Sequence, residues 1–185
     1  HGIIEESDSG SNVIIGVLDS GIWPEHVSFN DQDLGPIPSR WRGKCDGGDN
    51  FPENLCNKKL IGARYYSTEL YEQQQQGSAR DTDGHGTHTT STIAGRHVPN
   101  ASLLGFAQGV ANGVAPKSRI AVYKVCWEDH CSASDVLVGI DAAVEDGVDV
   151  ISMSIGGDPS PYHEDPIAIG AFGAIEKGVL FSASG

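Results

Sequence analysis

Short apolar runs alternating with helical patterns constrain this chain more than any other feature. Residues 12–18 (Asn-Val-Ile-Ile-Gly-Val-Leu) are nearly continuously apolar, the pattern of a strand covered on both faces. Residues 119–125, 148–154 and 179–183 read the same way. Helical patterns lie between them. Residues 85–94 lack proline, and Gly95 follows as a C-terminal cap. Ser132 or Ser134 caps a helix over 133–146, where Val136, Leu137, Ile140, Ala143 and Val144 fall at helical spacing and Gly147 stops the run. Pro166 opens a third helix that Gly178 ends, with Ile169, Phe172 and Ile175 expected on its apolar face. This alternation predicts an α/β fold, a parallel sheet with helices on both faces. In such sheets function collects at the carboxyl ends of the strands, which places Asp19, Gly156 and Gly185 in view.

The 185 residues suit one domain, which we read over 1–185 with an irregular, loop-rich insertion at about 22–78. That stretch holds Pro24, Pro36, Pro38 and Pro52, a Gly47-Gly48 pair and a glutamine tract at 73–76 that reads as a solvated loop. The net charge of −13 repels phosphate, so nucleic acid and anionic membranes are poor partners. No apolar run approaches the ~20 residues that cross a bilayer. The chain opens on His1 with no signal peptide in view, the expectation for a processed or clipped piece.

Four cysteines, Cys45, Cys56, Cys126 and Cys131, leave three pairings open. Chain proximity favours Cys45 with Cys56 and Cys126 with Cys131; four free thiols of a cytosolic protein are the other reading. Asn100-Ala101-Ser102 is a glycosylation sequon, expected on a loop before Gly105, and it agrees with a secretory route.

Two segments are dense in chemistry. Asp19 follows the first buried strand, where a carboxylate is held rigid and partly desolvated; an Asx-turn residue is the plainer reading. Asp81-Thr82-Asp83-Gly84-His85-Gly86-Thr87-His88 sets an imidazole between two glycines at a helix start, where it can move protons near neutral pH. A solvated first turn capped by Asp83 is the plainer reading here. A metal pair of His85 and His88 with Asp81 or Asp83 lacks the H-E-x-x-H pattern, and Asp31, Asp33, Asp46 and Asp49 have no calcium-loop spacing. No metal and no cofactor are expected.

Together, Val17-Leu18-Asp19-Ser20-Gly21-Ile22 and the segment around His85 resemble the aspartate and histidine signatures of subtilisin-like serine proteases. The likeness continues, in the same order, through residues 113–116, 121–126, 152–157 and 181–185. Trp23-Pro24-Glu25, Trp41-Arg42-Gly43-Lys44-Cys45 and residues 58–64 are in the style of the plant subtilases. The resemblance implies a subtilisin-like fold, incomplete at the C-terminus. It implies a serine endopeptidase in which His85 is the general base and acid and Asp19 orients and stabilises it. It implies substrate binding by Ser154, Ile155 and Gly156 on one side and Cys131 and Ser132 on the other, with Ala183 and Gly185 walling a side-chain pocket.

The family's oxyanion-hole asparagine normally comes directly after the glycine at 185, and its nucleophile later, in a Gly-Thr-Ser-Met-Ala type motif; neither is in this sequence. The expected partners are polypeptide substrates and the remainder of the same catalytic domain. The expected location is extracellular, cell wall or apoplast for a plant protein, with the vacuole also open. The competing readings are a truncated or inactive homologue that binds peptides, and a nucleotide-binding domain. The second lacks both G-x-G-x-x-G and G-x-x-x-x-G-K-[ST].

Overall fold

The structure is a computed structural model that describes residues 2, 6–128, 130–157 and 159–184. Five parallel strands form its central sheet. They are β1 (Ile14–Asp19), β2 (Leu60–Tyr65), β5 (Arg119–Lys124), β8 (Val150–Met153) and β9 (Leu180–Ala183), in the order β2-β5-β1-β8-β9. All six residues of β1 are buried, and alternate side chains enter different cores. Ile14 and Leu18 pack with Tyr123, Ile140, Ala143 and Ile151 on one face. Ile15 and Val17 pack with Phe29, Phe51, Ile120 and Val122 on the other. Each such aliphatic side chain contributes about 1.5–3 kcal/mol through burial.

Helices cover both faces. On the first lie α3 (Ala133–Asp146), which buries Val136, Ile140 and Ala143, and α4 (Pro166–Glu176), which buries Ala174. On the second lies α2 (His85–Ala94), which contributes Ala94. A buried polar knot ties α3 to the sheet: Tyr123 Oη donates to Asp146 at 2.9 Å, and the Arg64 guanidinium donates to the same carboxylate. Burial beside Asp146 pushes the Tyr123 phenol far above its ordinary range, so it stays a donor.

The fold departs from the sequence expectation in three places. The loop-rich stretch, read as loop with room for short strands, contains β2, which pairs with β5, and also the short helix α1 (Thr68–Glu72), which the sequence reading did not include and whose start is held by Asp135 through Thr68. The sequon Asn100 sits on a strand instead of a loop: β3 (Val98–Leu103) pairs with β4 (Phe106–Ala111) in an exposed antiparallel hairpin. On α4, Ile169, Phe172 and Ile175 are 47%, 66% and 59% exposed, so the expected apolar face looks outward. Size explains this. A Cβ on Gly170 would lie 2.5 Å from Ile140 Cδ1, so α4 turns its small residues, Gly170 and Ala174, toward α3.

Two disulfides are present, Cys45–Cys56 and Cys126–Cys131, as chain proximity suggests. The second closes the tight pairing of β6 (Cys126–Trp127) with β7 (His130–Cys131), which lies beyond the carboxyl end of β5. No helix among the described residues is long and apolar enough to cross a membrane.

Candidate active site

The site lies at the carboxyl ends of β1 and β8, where β1 delivers Asp19 and the first turn of α2 delivers His85. Gly21 and Gly86 let these segments meet. A Cβ on Gly86 would fall 2.3 Å from the Gly21 carbonyl oxygen, so only glycine permits this approach. Gly21 itself has φ +116°, a left-handed conformation, and runs against the Ala79 carbonyl. Glycine on each side is therefore required to bring strand end and helix start into contact.

His85 Nδ1 and Asp19 Oδ1 are 2.7 Å apart. The Asp19 side chain is 2% exposed and that of His85 48%, so the carboxylate forms the floor and the ring faces the cleft. Asp19 accepts two further hydrogen bonds, from the Ser20 N–H at 2.7 Å and the Thr89 hydroxyl at 3.0 Å. The hydrogen bond to Asp19 raises the His85 pKa above its ordinary value. Burial opposes the rise, and the charges of Asp19, Asp83 and Asp81 add to it. With Nδ1 held by the carboxylate, Nε2 is the ring nitrogen left able to exchange protons.

The expected substrate-binding residues gather here in large part. Ser154, Ile155, Gly156 and Cys131 join Asp19 and His85 around a cavity of about 290 Å³. Ile155, Gly156 and Cys131 also border a neighbouring cavity of about 500 Å³, whose far wall includes Phe181, Ala183 and Ser184. The Ser184 N–H donates to the Met153 carbonyl at 3.1 Å and ties that wall to the end of β8. Ser132 borders neither cavity. It stands at the N-cap position of α3, yet its hydroxyl pairs with the Ser134 hydroxyl at 2.8 Å instead of capping the helix. Gly185 lies outside the described residues.

The start of α2 is organised differently from the expectation. Gly84 takes the N-cap position with φ +105°, and Asp83 accepts the His85 N–H. The main acceptor is Asp81, which the sequence reading weighed only as a metal ligand. Thr89 was likewise missed; its place four residues after His85, one helical turn on, is the signal that puts both on one face. Among the described residues, no group of three or more His, Cys, Asp or Glu side chains is clustered to hold a metal ion.

Comparison with known proteins bears on the family and the fold. The subtilisin-like protease SBT1.5 of Arabidopsis thaliana is 54% identical over 190 residues, covering 99% of this chain and 24% of its own length. SBT1.6 of the same plant is 57% identical over 195 residues, with 99% and 26% covered. The subtilisin-like serine-protease S of Lotus japonicus is 52% identical, with 96% and 25% covered. The chain thus spans about a quarter of the length of these curated relatives. In fold, it is similar to the crystal structure of MycP1 with the N-terminal propeptide removed, with a TM-score of 0.57 at 19% identity, covering 97% of this chain and 45% of that one. The sequence pattern of the Subtilase family matches residues 10–185, and a match of that extent, on a parallel sheet whose strand end holds Asp19 against His85, makes this chain a member of the subtilase family.

Proposed function

We propose that this chain supplies the acid–base pair and much of the substrate groove of a serine endopeptidase. The observation that carries the reading is the 2.7 Å bond between His85 Nδ1 and buried Asp19 at the edge of a cleft bordered by Ser154–Gly156. The nucleophilic serine and the oxyanion asparagine come from outside residues 1–185. A peptide lies extended along Ser154–Gly156, with Cys131 on the opposite bank and the larger cavity taking the side chain before the cleaved bond. His85 Nε2 removes the serine proton as the oxygen attacks the scissile carbonyl. The imidazolium, held by Asp19, then protonates the leaving amine. Water attacks the acyl-enzyme by the same route in reverse, which frees the new carboxyl end and restores the serine.

The paired cysteines support an oxidising, extracellular setting, and exposed Asn100 is available to carry a glycan there. The test uses the full-length protein with a quenched peptide library and a fluorophosphonate probe. Wild type labels and cleaves. Asp19→Asn lowers kcat by about 10⁴-fold and His85→Ala by at least as much. Peptide binding without labelling or turnover in the wild type would refute the reading and favour an inactive, peptide-binding homologue.

A further inference from the structure

Asp81 receives more hydrogen bonds than any other carboxylate near the cleft, yet it borders a different cavity from the one that holds Asp19 and His85. Its Oδ1 accepts from the Ser20 hydroxyl at 3.0 Å, the Asp83 N–H at 3.1 Å and the Gly84 N–H at 2.9 Å. Its Oδ2 accepts from the Thr87 N–H at 2.9 Å and the Thr87 hydroxyl at 2.5 Å. These donors belong to three separate pieces of chain: the residue after Asp19, the turn before His85, and the first turn of α2. Each piece is tied onward. The Ser20 hydroxyl accepts the Gly86 N–H at 2.9 Å, and Thr87 Oγ1 accepts the Trp23 N–H at 3.0 Å. Behind Asp81, the buried Lys124 ammonium donates to the Arg80 carbonyl at 2.7 Å and sits 4.3 Å from the Trp127 ring centroid.

We infer that Asp81 is a positioning residue for the Asp19–His85 pair, the bracket that fixes the distance between the end of β1 and the start of α2. The inference rests on the proposed catalytic roles of that pair and adds a residue to them. A network with every donor matched is stiff, because any displacement leaves a partly buried polar group unpaired. Burial works to raise the Asp81 pKa, but the bonds from Thr87, Gly84 and Ser20 together outweigh it and hold the carboxylate below its ordinary range, so it keeps its charge as the cleft titrates. That charge is also one of the three carboxylates, with Asp19 and Asp83, that raise the proton affinity of His85. An amide at this position has one acceptor oxygen for five donors. Either the Thr87 N–H or the Ser20–Gly84 group then faces an NH₂, and the start of α2 moves.

The test is Asp81→Asn in the full-length protein, with rates scaled to active sites titrated by a fluorophosphonate. The expected result is a kcat lower by about 10- to 100-fold with KM within about threefold, as for a small misplacement of catalytic groups. The acid limb of kcat/KM should move to lower pH, since His85 loses a neighbouring negative charge. Unchanged kcat per titrated site and an unmoved acid limb would overturn the inference, because a purely structural residue changes only the yield of active sites. Should Asp81→Asn not accumulate folded, Ser20→Ala tests the same bracket. It removes the acceptor of Gly86 N–H and is expected to lower kcat by about 3- to 10-fold, an unchanged kcat refuting the idea. His85→Ala in parallel separates the two claims: hydrolysis that survives it defeats the catalytic assignment itself. In a protein without turnover, NMR of the His85 ring still decides the matter: a weakened Nδ1–H hydrogen bond to Asp19 in Asp81→Asn, seen as an upfield shift of that proton, supports the bracket, and an unchanged one refutes it.

Discussion

Replacing Lys59 by methionine should change the way stability depends on pH. Lys59 is wholly buried at the foot of β2, and its ammonium is held by main-chain carbonyls, those of Pro116 at 3.1 Å and Ser118 at 2.6 Å. Burial, with the added repulsion of Arg96 and Arg119, pushes its pKa from 10.5 down to about 7. A depressed pKa means that the unfolded chain binds the proton more tightly. The contribution of Lys59 to stability is then fully present above pH 10.5 and is lost as pH falls to about 7. Within that window each pH unit is worth about 1.4 kcal/mol, and the whole window has a ceiling of about 5 kcal/mol. Methionine keeps the length of the apolar stem but cannot titrate. It also strips the Ser118 carbonyl of a donor at every pH, a constant cost of about 1–3 kcal/mol. The slope is therefore the diagnostic quantity, not the offset. Urea unfolding of wild type and Lys59→Met at pH 7, 8 and 9 should show the wild type gaining on the variant by about 1 kcal/mol per unit. Parallel stability profiles would mean that Lys59 titrates alike in both states, and would refute the reasoning.

Gly86→Ala forces a Cβ against the Gly21 carbonyl, so it should cost about 1–3 kcal/mol by thermal melt and lower kcat by at least tenfold. Gly84→Ala meets nothing within 4 Å and should cost only the strain of its positive φ, about 1–2 kcal/mol by thermal melt. Removing the Cys45–Cys56 bridge by a double alanine substitution opens a loop with a sequence separation of 11, for an expected loss of about 2–3 kcal/mol in chemical denaturation. Under the proposed mechanism the general base His85 must be neutral, and the hydrogen bond to Asp19 raises its pKa, so kcat/KM should lose activity on acidification at a higher pH than an isolated imidazole would give; a pH–rate profile checks this.

The parts of the fold that the sequence revealed are those whose burial is two-sided. Every residue of β1 and β5 is buried, and an apolar run with no alternation is the direct imprint of that state. The β3–β4 hairpin left no such imprint, since its strands are exposed along most of their length and carry Pro99 and Asn100. Strand β2 was hidden by its surroundings, with only Leu60 to Ala63 buried and loop residues on both sides. In α4 the apolar periodicity was present and misleading, because close helix packing selects for small residues and not only for apolar ones. At the site, Asp19 and His85 were legible because a strand end and a helix start are marked by glycines. Asp81 was not, because an acceptor of five hydrogen bonds and a solvated loop carboxylate are the same letter.

The way Asp19 is satisfied bears on why such a pair can speed a reaction. A carboxylate 2% exposed needs compensation, and an arginine or lysine partner would supply it at all times. Among the described residues, the ion-pair partner of Asp19 is His85, and its other bonds come from neutral donors, the Ser20 N–H and the Thr89 hydroxyl. While the imidazole is neutral, these donors stabilise the carboxylate and fix its orientation without cancelling its charge. In the proposed mechanism, when His85 takes a proton from an attacking hydroxyl, the full attraction appears, at 2.7 Å and partly shielded from water. The interaction is therefore stronger in the charged transition state than in the resting site, the condition for it to raise kcat and not merely to tighten binding. A lysine engineered beside Asp19 would neutralise the carboxylate in both states and remove that difference. Under the proposed mechanism the neutral character of its resting partners is thus a functional property of the site, as much as the presence of the carboxylate itself.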